Sequence, residues 1–167
     1  MSGTFGPVRA YIGLGANLGD ARHQVEAALA ALGATPGVQL LARSSLYRTA
    51  PVDAGGPDYV NAVAAIDTHL EAHTLLRALQ GIEDGFGRQR PYRNAPRTLD
   101  LDLLLYGDAQ FSDPVLTVPH PRLHLRAFVL HPLAELTPDL RVPGLGALSS
   151  LLPDVSEQRI ERLADTP

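Results

Sequence analysis

The 167-residue chain contains no cysteine, no tryptophan and no lysine. Without cysteine there is no disulfide framework, no Cys-ligated zinc and no thiol nucleophile. Without lysine there is no Walker-type phosphate loop and no Schiff-base chemistry, because both need a lysine amine. Aromatics are only 5% of residues, and no apolar run approaches the roughly 20 residues that span a bilayer. Met1 to Arg9 lacks a charged start followed by an apolar core, so no secretory signal is read there and a cytoplasmic location is expected. What remains is 45% hydrophobic and 19% charged, the balance of a folded globule. The length suits one domain over 1–167, since single cores commonly run to roughly 100–200 residues.

All 14 basic residues are arginine, and the formal net charge is −4. Four of them, Arg88, Arg90, Arg93 and Arg97, fall within ten residues. A local basic stretch on an acidic chain suggests one particular anion and no nucleic-acid surface.

Periodicity gives the order of elements. Val8 to Leu14 reads as a buried strand that breaks at Gly15. Asp20 is placed to cap a helix carrying Val25, Ala28, Leu29 and Leu32, which ends at Gly33. Two strands are expected at Val38–Thr49 and Tyr59–His69, then a helix from Glu71 to Asp84 and an irregular, Arg-rich stretch from Gly85 to Pro96. Thr98 to Tyr106 is a further strand. The order β-α-β-β-α-β is the split, ferredoxin-like pattern of an α+β domain. Short helices near Pro121–Arg126, Val129–Glu135 and Ala147–Leu152 would cover a second face or close an edge. The last thirty residues carry no assigned role.

The sharpest chemical signal is Arg97-Thr98-Leu99-Asp100-Leu101-Asp102-Leu103. Residues i and i+2 of a strand face one side, roughly 6.6–7 Å apart, so Asp100 and Asp102 project together. Leu99, Leu101, Leu103 and Leu105 are expected in the core behind them. Paired carboxylates suit Mg²⁺, which takes one or two carboxylates plus water and substrate phosphates. Taken alone, the pair reads more readily as the wet face of an amphipathic strand whose acids bind nothing. Arginines on the preceding Gly/Pro-punctuated loop, able to close over a ligand, supply the phosphate-gripping half and favour phosphoryl transfer. His120 sits between Pro119 and Pro121 in a rigid turn. Tyr59 and Asn61 offer a ring face and an amide to a flat heterocycle. A rival reading, a sheet that stacks single-stranded RNA, fits poorly with acids on the presumed binding face. A nucleotide sensor without catalysis is a second alternative.

Several segments together resemble a known family. They are Tyr11-Ile12-Gly13-Leu14-Gly15-Ala16-Asn17-Leu18-Gly19-Asp20, Ser45-Leu46-Tyr47-Arg48-Thr49-Ala50-Pro51, Pro57-Asp58-Tyr59-Val60-Asn61-Ala62, Pro96-Arg97-Thr98-Leu99-Asp100-Leu101-Asp102 and Thr117-Val118-Pro119-His120-Pro121. In order and spacing, from about residue 8 to 136, the chain resembles the 6-hydroxymethyl-7,8-dihydropterin pyrophosphokinases of folate biosynthesis. The resemblance implies a three-layer α/β/α fold, ATP as co-substrate, two Mg²⁺ ions, small-molecule partners, no nucleic acid or membrane, and a monomer or weak homodimer. It implies Asp100 and Asp102 as metal ligands, and Arg88 and Arg97 as catalytic arginines on the triphosphate. Gln80, Glu83, Arg90, Thr117, His120 and Arg126 are implied near the nucleotide. Thr49, Val52, Tyr59, Asn61 and Phe128 are implied for the pterin, with Tyr59 and Phe128 sandwiching its ring. Asn94 stands where many members have Trp, Ala50 where Pro is common, and Pro121 where some carry Tyr.

Overall fold

Val8–Ala16 forms the strand around which the sheet is organised, β1, and its alternating side chains serve two different cores. The computed structural model describes residues 7–17, 20–50, 58–87 and 99–164. Val52, Arg88, Arg90, Arg93, Asn94 and Arg97 lie outside the described residues. β1 continues through Gly15 to Ala16, beyond the break expected at Gly15, because it pairs with strands on both sides. Asp20 caps helix α1 (Ala21–Gly33), its side chain accepting from the His23 N–H at 3.1 Å.

The segment expected as one strand, 38–49, is two. β2 (Val38–Arg43) and β3 (Tyr47–Thr49) both pair with β4 (Tyr59–Thr68). The ladder breaks between them because local polar groups take its hydrogen bonds. The Ser44 hydroxyl accepts from the Val63 N–H, and the Ser45 N–H donates to the Glu135 carboxylate. Helix α2 (Ala72–Gly87) runs past the expected end at Asp84 and through Gly85. Phe86 packs against the first core in that extra turn, which offsets the roughly 0.5–1 kcal/mol an interior glycine costs.

Strand β5 (Asp100–Tyr106) pairs antiparallel with β1 at one edge of the sheet. The register shifts between Tyr11 and Ile12, leaving Leu104 as an extra residue on β5. Leu99, Leu101 and Leu103 therefore point into one core, whereas Leu105, expected beside them, joins Leu104 in the other.

The first core lies between the sheet and helices α1 and α2, with Ile12, Ile66, Val25, Leu75 and Leu79 fully buried. The second lies between the opposite face and helix α3 (Ala127–Leu136), with Val63, Leu130 and Leu133 fully buried. Each such side chain contributes about 1.5–3 kcal/mol of burial. The architecture is thus a three-layer α/β/α sandwich.

The chain beyond β5 completes the second core and the sheet. β6 (Phe111–Ser112) and β7 (Thr117–Val118) form a hairpin, and a 3-10 turn covers Leu123–Leu125. After α3 come β8 (Arg141–Val142), β9 (Gly146–Ala147), α4 (Leu148–Leu151) and a 3-10 turn at Leu152–Val155. Leu148 and Val155 complete the second core, and β10 (Ile160–Arg162) adds a strand to the sheet beside β3. Ile160–Arg162, within the stretch left without a role by sequence, therefore extend the sheet. No helix among the described residues is long and apolar enough to cross a membrane.

Candidate active site

Two glycines open the floor of the site. Gly13 and Gly15 of β1 are the register partners of Asp102 and Asp100 on β5, and Gly15 also faces Asn61 on β4. A Cβ at Gly13 would touch Leu104 at an ordinary 3.4 Å. A Cβ at Gly15 would come within 2.7 Å of the Asn61 Oδ1, closer than atoms can approach. Bare backbone at Gly15 is what leaves room for the Asn61 Oδ1.

The walls come from the other strands and from α3. A cavity of about 320 Å³ is lined by Gly13, Gly15, Thr49, Tyr59, Asn61, Asp100, Asp102, Arg126 and Phe128, among others. The buried Asn61 Nδ2 donates to the Thr49 Oγ1 at 2.7 Å. Thr49 thereby accepts from Asn61, and its own hydroxyl proton is left to donate into the cavity. Phe128 lies in the first turn of α3, with the Arg126 guanidinium 5.3 Å above its ring centroid. Thr49, Tyr59, Asn61 and Phe128, expected together around a flat ring, do line one cavity. Arg126, expected beside a nucleotide, lines this same cavity.

A second cavity of about 300 Å³ opens along the free edge of β5, between α2 and the β6–β7 hairpin. Leu76, Asp102, Asp113, Val115, Thr117 and His120 line it, so Asp102 stands where the two cavities meet. His120 is fixed there by its backbone, whose N–H donates to the Leu104 carbonyl at 2.9 Å. Its Nδ1 accepts from the Arg122 N–H at 3.1 Å, which leaves Nε2 as the protonated nitrogen of the neutral ring. Burial, with Arg126 and Arg122 nearby, holds His120 below its ordinary value against the opposing pull of Asp102.

Glu83 and Gln80, expected near the nucleotide, both lie on α2. Glu83 reaches from α2 to the exposed edge of β5, where its Oε2 accepts from the Leu101 N–H at 2.8 Å. It thus braces the residue between the two aspartates. Gln80 is exposed and lines neither cavity.

Asp100 is exposed, Asp102 is half-buried, and both leave the core face of β5. Among the described residues no cluster of three or more His, Cys, Asp or Glu groups could hold a metal. A carboxylate pair opposite two glycines suits Mg²⁺, which takes its remaining oxygens from water and substrate phosphates.

Sequence reasoning passed over Glu135. Its carboxylate accepts from the Tyr47 hydroxyl at 2.7 Å, the Ser45 hydroxyl at 3.0 Å and the Ser45 N–H at 2.9 Å. These bonds tie the strand that carries Thr49 to the helix that carries Phe128. Burial pushes the carboxyl up, but the bonds from Tyr47 and Ser45 outweigh it and hold Glu135 below its ordinary value. Burial and the same bond push Tyr47 up to about 12. The paired Ser-Ser before Tyr47 signals a break in the strand, since adjacent hydroxyls compete with its ladder, but it does not point to Glu135 as the partner.

The comparisons with known proteins agree with this geometry. The model of the 7,8-dihydro-6-hydroxymethylpterin-pyrophosphokinase (HPPK) family matches residues 11–138. The chain is 49% identical over 156 residues to a Pseudomonas aeruginosa 2-amino-4-hydroxy-6-hydroxymethyldihydropteridine pyrophosphokinase, covering 93% of this chain and 96% of that protein. The enzyme of the same name from Methylorubrum extorquens is 47% identical over 137 residues, covering 81% and 87% of the two chains. Among solved structures, a Plasmodium falciparum HPPK-DHPS triple mutant superposes with a TM-score of 0.74 at 15% identity. That match covers 93% of this chain but 46% of the longer Plasmodium chain, and it speaks for the fold alone. The motifs at β1, β3, β4 and β5, the glycine floor and the relatives thus converge, and the chain belongs to the 7,8-dihydro-6-hydroxymethylpterin-pyrophosphokinase family.

Proposed function

We propose that the chain transfers a pyrophosphoryl group from ATP to the hydroxymethyl oxygen of 6-hydroxymethyl-7,8-dihydropterin, releasing AMP, in folate biosynthesis. The observation that carries this reading is Asp102, which lines both the aromatic cavity and the cavity at the β5 edge. The first cavity takes the pterin, with Tyr59 and Phe128 against its ring faces. Asn61 and Thr49 meet its polar edge, and Val52 is assigned to the pterin on the family resemblance alone. The second cavity takes ATP against Thr117 and His120, with Glu83 bracing its floor, and the triphosphate passes Asp102 towards the pterin.

The hydroxymethyl oxygen attacks the β-phosphorus, the bond from that phosphorus to the oxygen bridging to the α-phosphorus breaks, and AMP leaves with that oxygen. The hydroxyl proton is released to solvent. Asp100 and Asp102 would hold two Mg²⁺ ions, which supply charge neutralisation on the phosphates and lower the pKa of a hydroxyl. Arg126 sits in the pterin cavity near both aspartates and offers a fixed cation to negative charge arriving there. Arg88, Arg90 and Arg97 are assigned to the triphosphate on residue type and sequence position. The walls bring the two reactants together, which removes much of the entropic barrier to a bimolecular step. We place this activity in the cytoplasm, in one domain over 1–167 acting as a monomer or weak homodimer.

Product analysis tests the reading directly. Protein supplied with Mg²⁺, ATP and the hydroxymethyl dihydropterin should form AMP and the pterin pyrophosphate in equal amounts. Formation of ADP in place of AMP would overturn it.

A further inference from the structure

The hairpin that walls the second cavity is anchored by a histidine that the proposed mechanism does not use. His73, near the start of α2, sits between two carboxylates: its Nε2 is 2.7 Å from the Asp113 Oδ2, and its Nδ1 is 3.1 Å from the Glu71 Oε2. Its ring also stacks on Phe111 of β6, with centroids 5.7 Å apart and planes at 26°. Asp113 uses its other oxygen to close the turn, where Oδ1 accepts from the Val115 and Leu116 N–H groups, each at 2.8 Å. One carboxylate thus shapes the 113–116 turn and fastens it to α2.

That turn is part of the cavity wall. Asp113, Pro114, Val115 and Leu116 all line the cavity beside Asp102, Thr117 and His120. Val115, whose backbone N–H donates to the Asp113 Oδ1, is an apolar lining residue left 69% exposed.

We propose that His73 is a positioning residue for the nucleotide: acting through Asp113, it fixes the 113–116 turn and so sets the affinity for ATP without touching it. The inference rests on the reading that the second cavity takes ATP. It has a chemical signature. Only the imidazolium has a proton on each nitrogen, so only the charged ring donates to Glu71 and Asp113 together. Glu71 first, and then Asp113, hold His73 above its ordinary value. Glu71 in turn feels Arg77, one turn along α2 with its guanidinium on the Thr74 hydroxyl, and acts on Tyr106, whose hydroxyl donates to the Leu70 carbonyl. Above the His73 pKa one of the two bonds is lost and the turn is less firmly held.

The test is isothermal titration of a nonhydrolysable ATP analogue with Mg²⁺, and separately of the pterin, from about pH 6 to about pH 9. Wild type is compared with His73→Gln, Asp113→Asn and His73→Lys. Exposed charge pairs act weakly, so the expected loss of analogue affinity in His73→Gln is about threefold at the acid end, vanishing at the alkaline end. Pterin affinity should not change. His73→Lys, a cation throughout, should keep the acid-end affinity up to the alkaline end. NMR titration of the His73 ring should show a pKa that falls towards its ordinary value in Asp113→Asn. The proposal is overturned if His73→Gln keeps the wild-type pH profile, or if it weakens pterin binding as much as analogue binding. A wild-type protein that binds the pterin but no ATP analogue at any pH refutes the nucleotide reading itself, with this inference.

Discussion

The Asn61 amide lies directly over Gly15, so that a single methyl group at position 15 would meet its Oδ1 at 2.7 Å. The contact decides the direction of a hydrogen bond. With Oδ1 turned to the glycine floor, Nδ2 is aimed at the Thr49 Oγ1, and Thr49 presents its proton to the cavity. A glycine on one strand therefore governs donors on two others.

Gly15→Ala should for that reason act on the pterin and spare the nucleotide. The added Cβ pushes Asn61 off its bond to Thr49, and leaving a buried polar group unpaired costs about 1–3 kcal/mol. Pterin affinity should fall roughly tenfold or more, with little change for a nonhydrolysable ATP analogue. Isothermal titration with each ligand reads both numbers. Full pterin affinity in Gly15→Ala would mean that Asn61 has another orientation available.

Asp100→Ala and Asp102→Ala should each abolish AMP formation while leaving the fold intact. Neither side chain belongs to the core, and the leucines that hold β5 in place are untouched. With the core untouched, the ligand-free Tm should stay close to that of the wild type. Turnover assays beside thermal scans check both parts. Undiminished AMP production in either variant would end the metal-pair proposal.

Phe128→Ala and His120→Ala should separate the two cavities. Phe128 lines only the first, and its loss removes a ring-stacking contact worth about 0.5–1.5 kcal/mol beyond area burial. The Arg126 guanidinium also loses the ring beneath it. Pterin affinity should drop roughly tenfold, with analogue affinity little changed. His120 lines only the second cavity, and its substitution should do the reverse. If both variants weakened the same ligand, the division of the site into two cavities would be mistaken.

How much of this was legible depended on whether a residue acts through local spacing or through distant partners. The Asp100–Asp102 pair is written in strand alternation, and Asp20 as a helix cap is written in the residues beside it. Thr49, Tyr59 and Asn61 lie in motifs that form β3 and β4, and these strands with α3, which carries Phe128, bring the four residues to one cavity. The β5 bulge at Leu104 was not legible, since a run of three leucines gives no sign of where alternation slips. Nor was the role of Glu135, whose partners Ser45 and Tyr47 lie about ninety residues away. The placement of Ile160–Arg162 beside β3 likewise depends on pairing that no local pattern encodes.

Glu135 gives the last prediction, and its sign follows from its partners. A carboxyl held below its ordinary value binds its proton less readily in the folded chain than in the unfolded one. Its stabilising contribution is therefore complete above the unfolded value of 4.5 and is lost as pH falls through the lower folded value. Glu135→Gln weakens the charge-assisted bonds from Ser45 and Tyr47, so it should destabilise the protein by about 1–2 kcal/mol at neutral pH. That difference should shrink towards zero in acid, where the wild-type carboxyl is itself protonated. Tyr47→Phe removes the 2.7 Å donor and should bring the Glu135 pKa back towards the carboxylate norm. Because these bonds join β3 to α3, Glu135→Gln should also weaken pterin binding between Thr49 and Phe128. Urea denaturation of both proteins at neutral pH and at about pH 3 reads the linkage. An equal stability gap at the two pH values would show that Glu135 contributes by packing and not by charge.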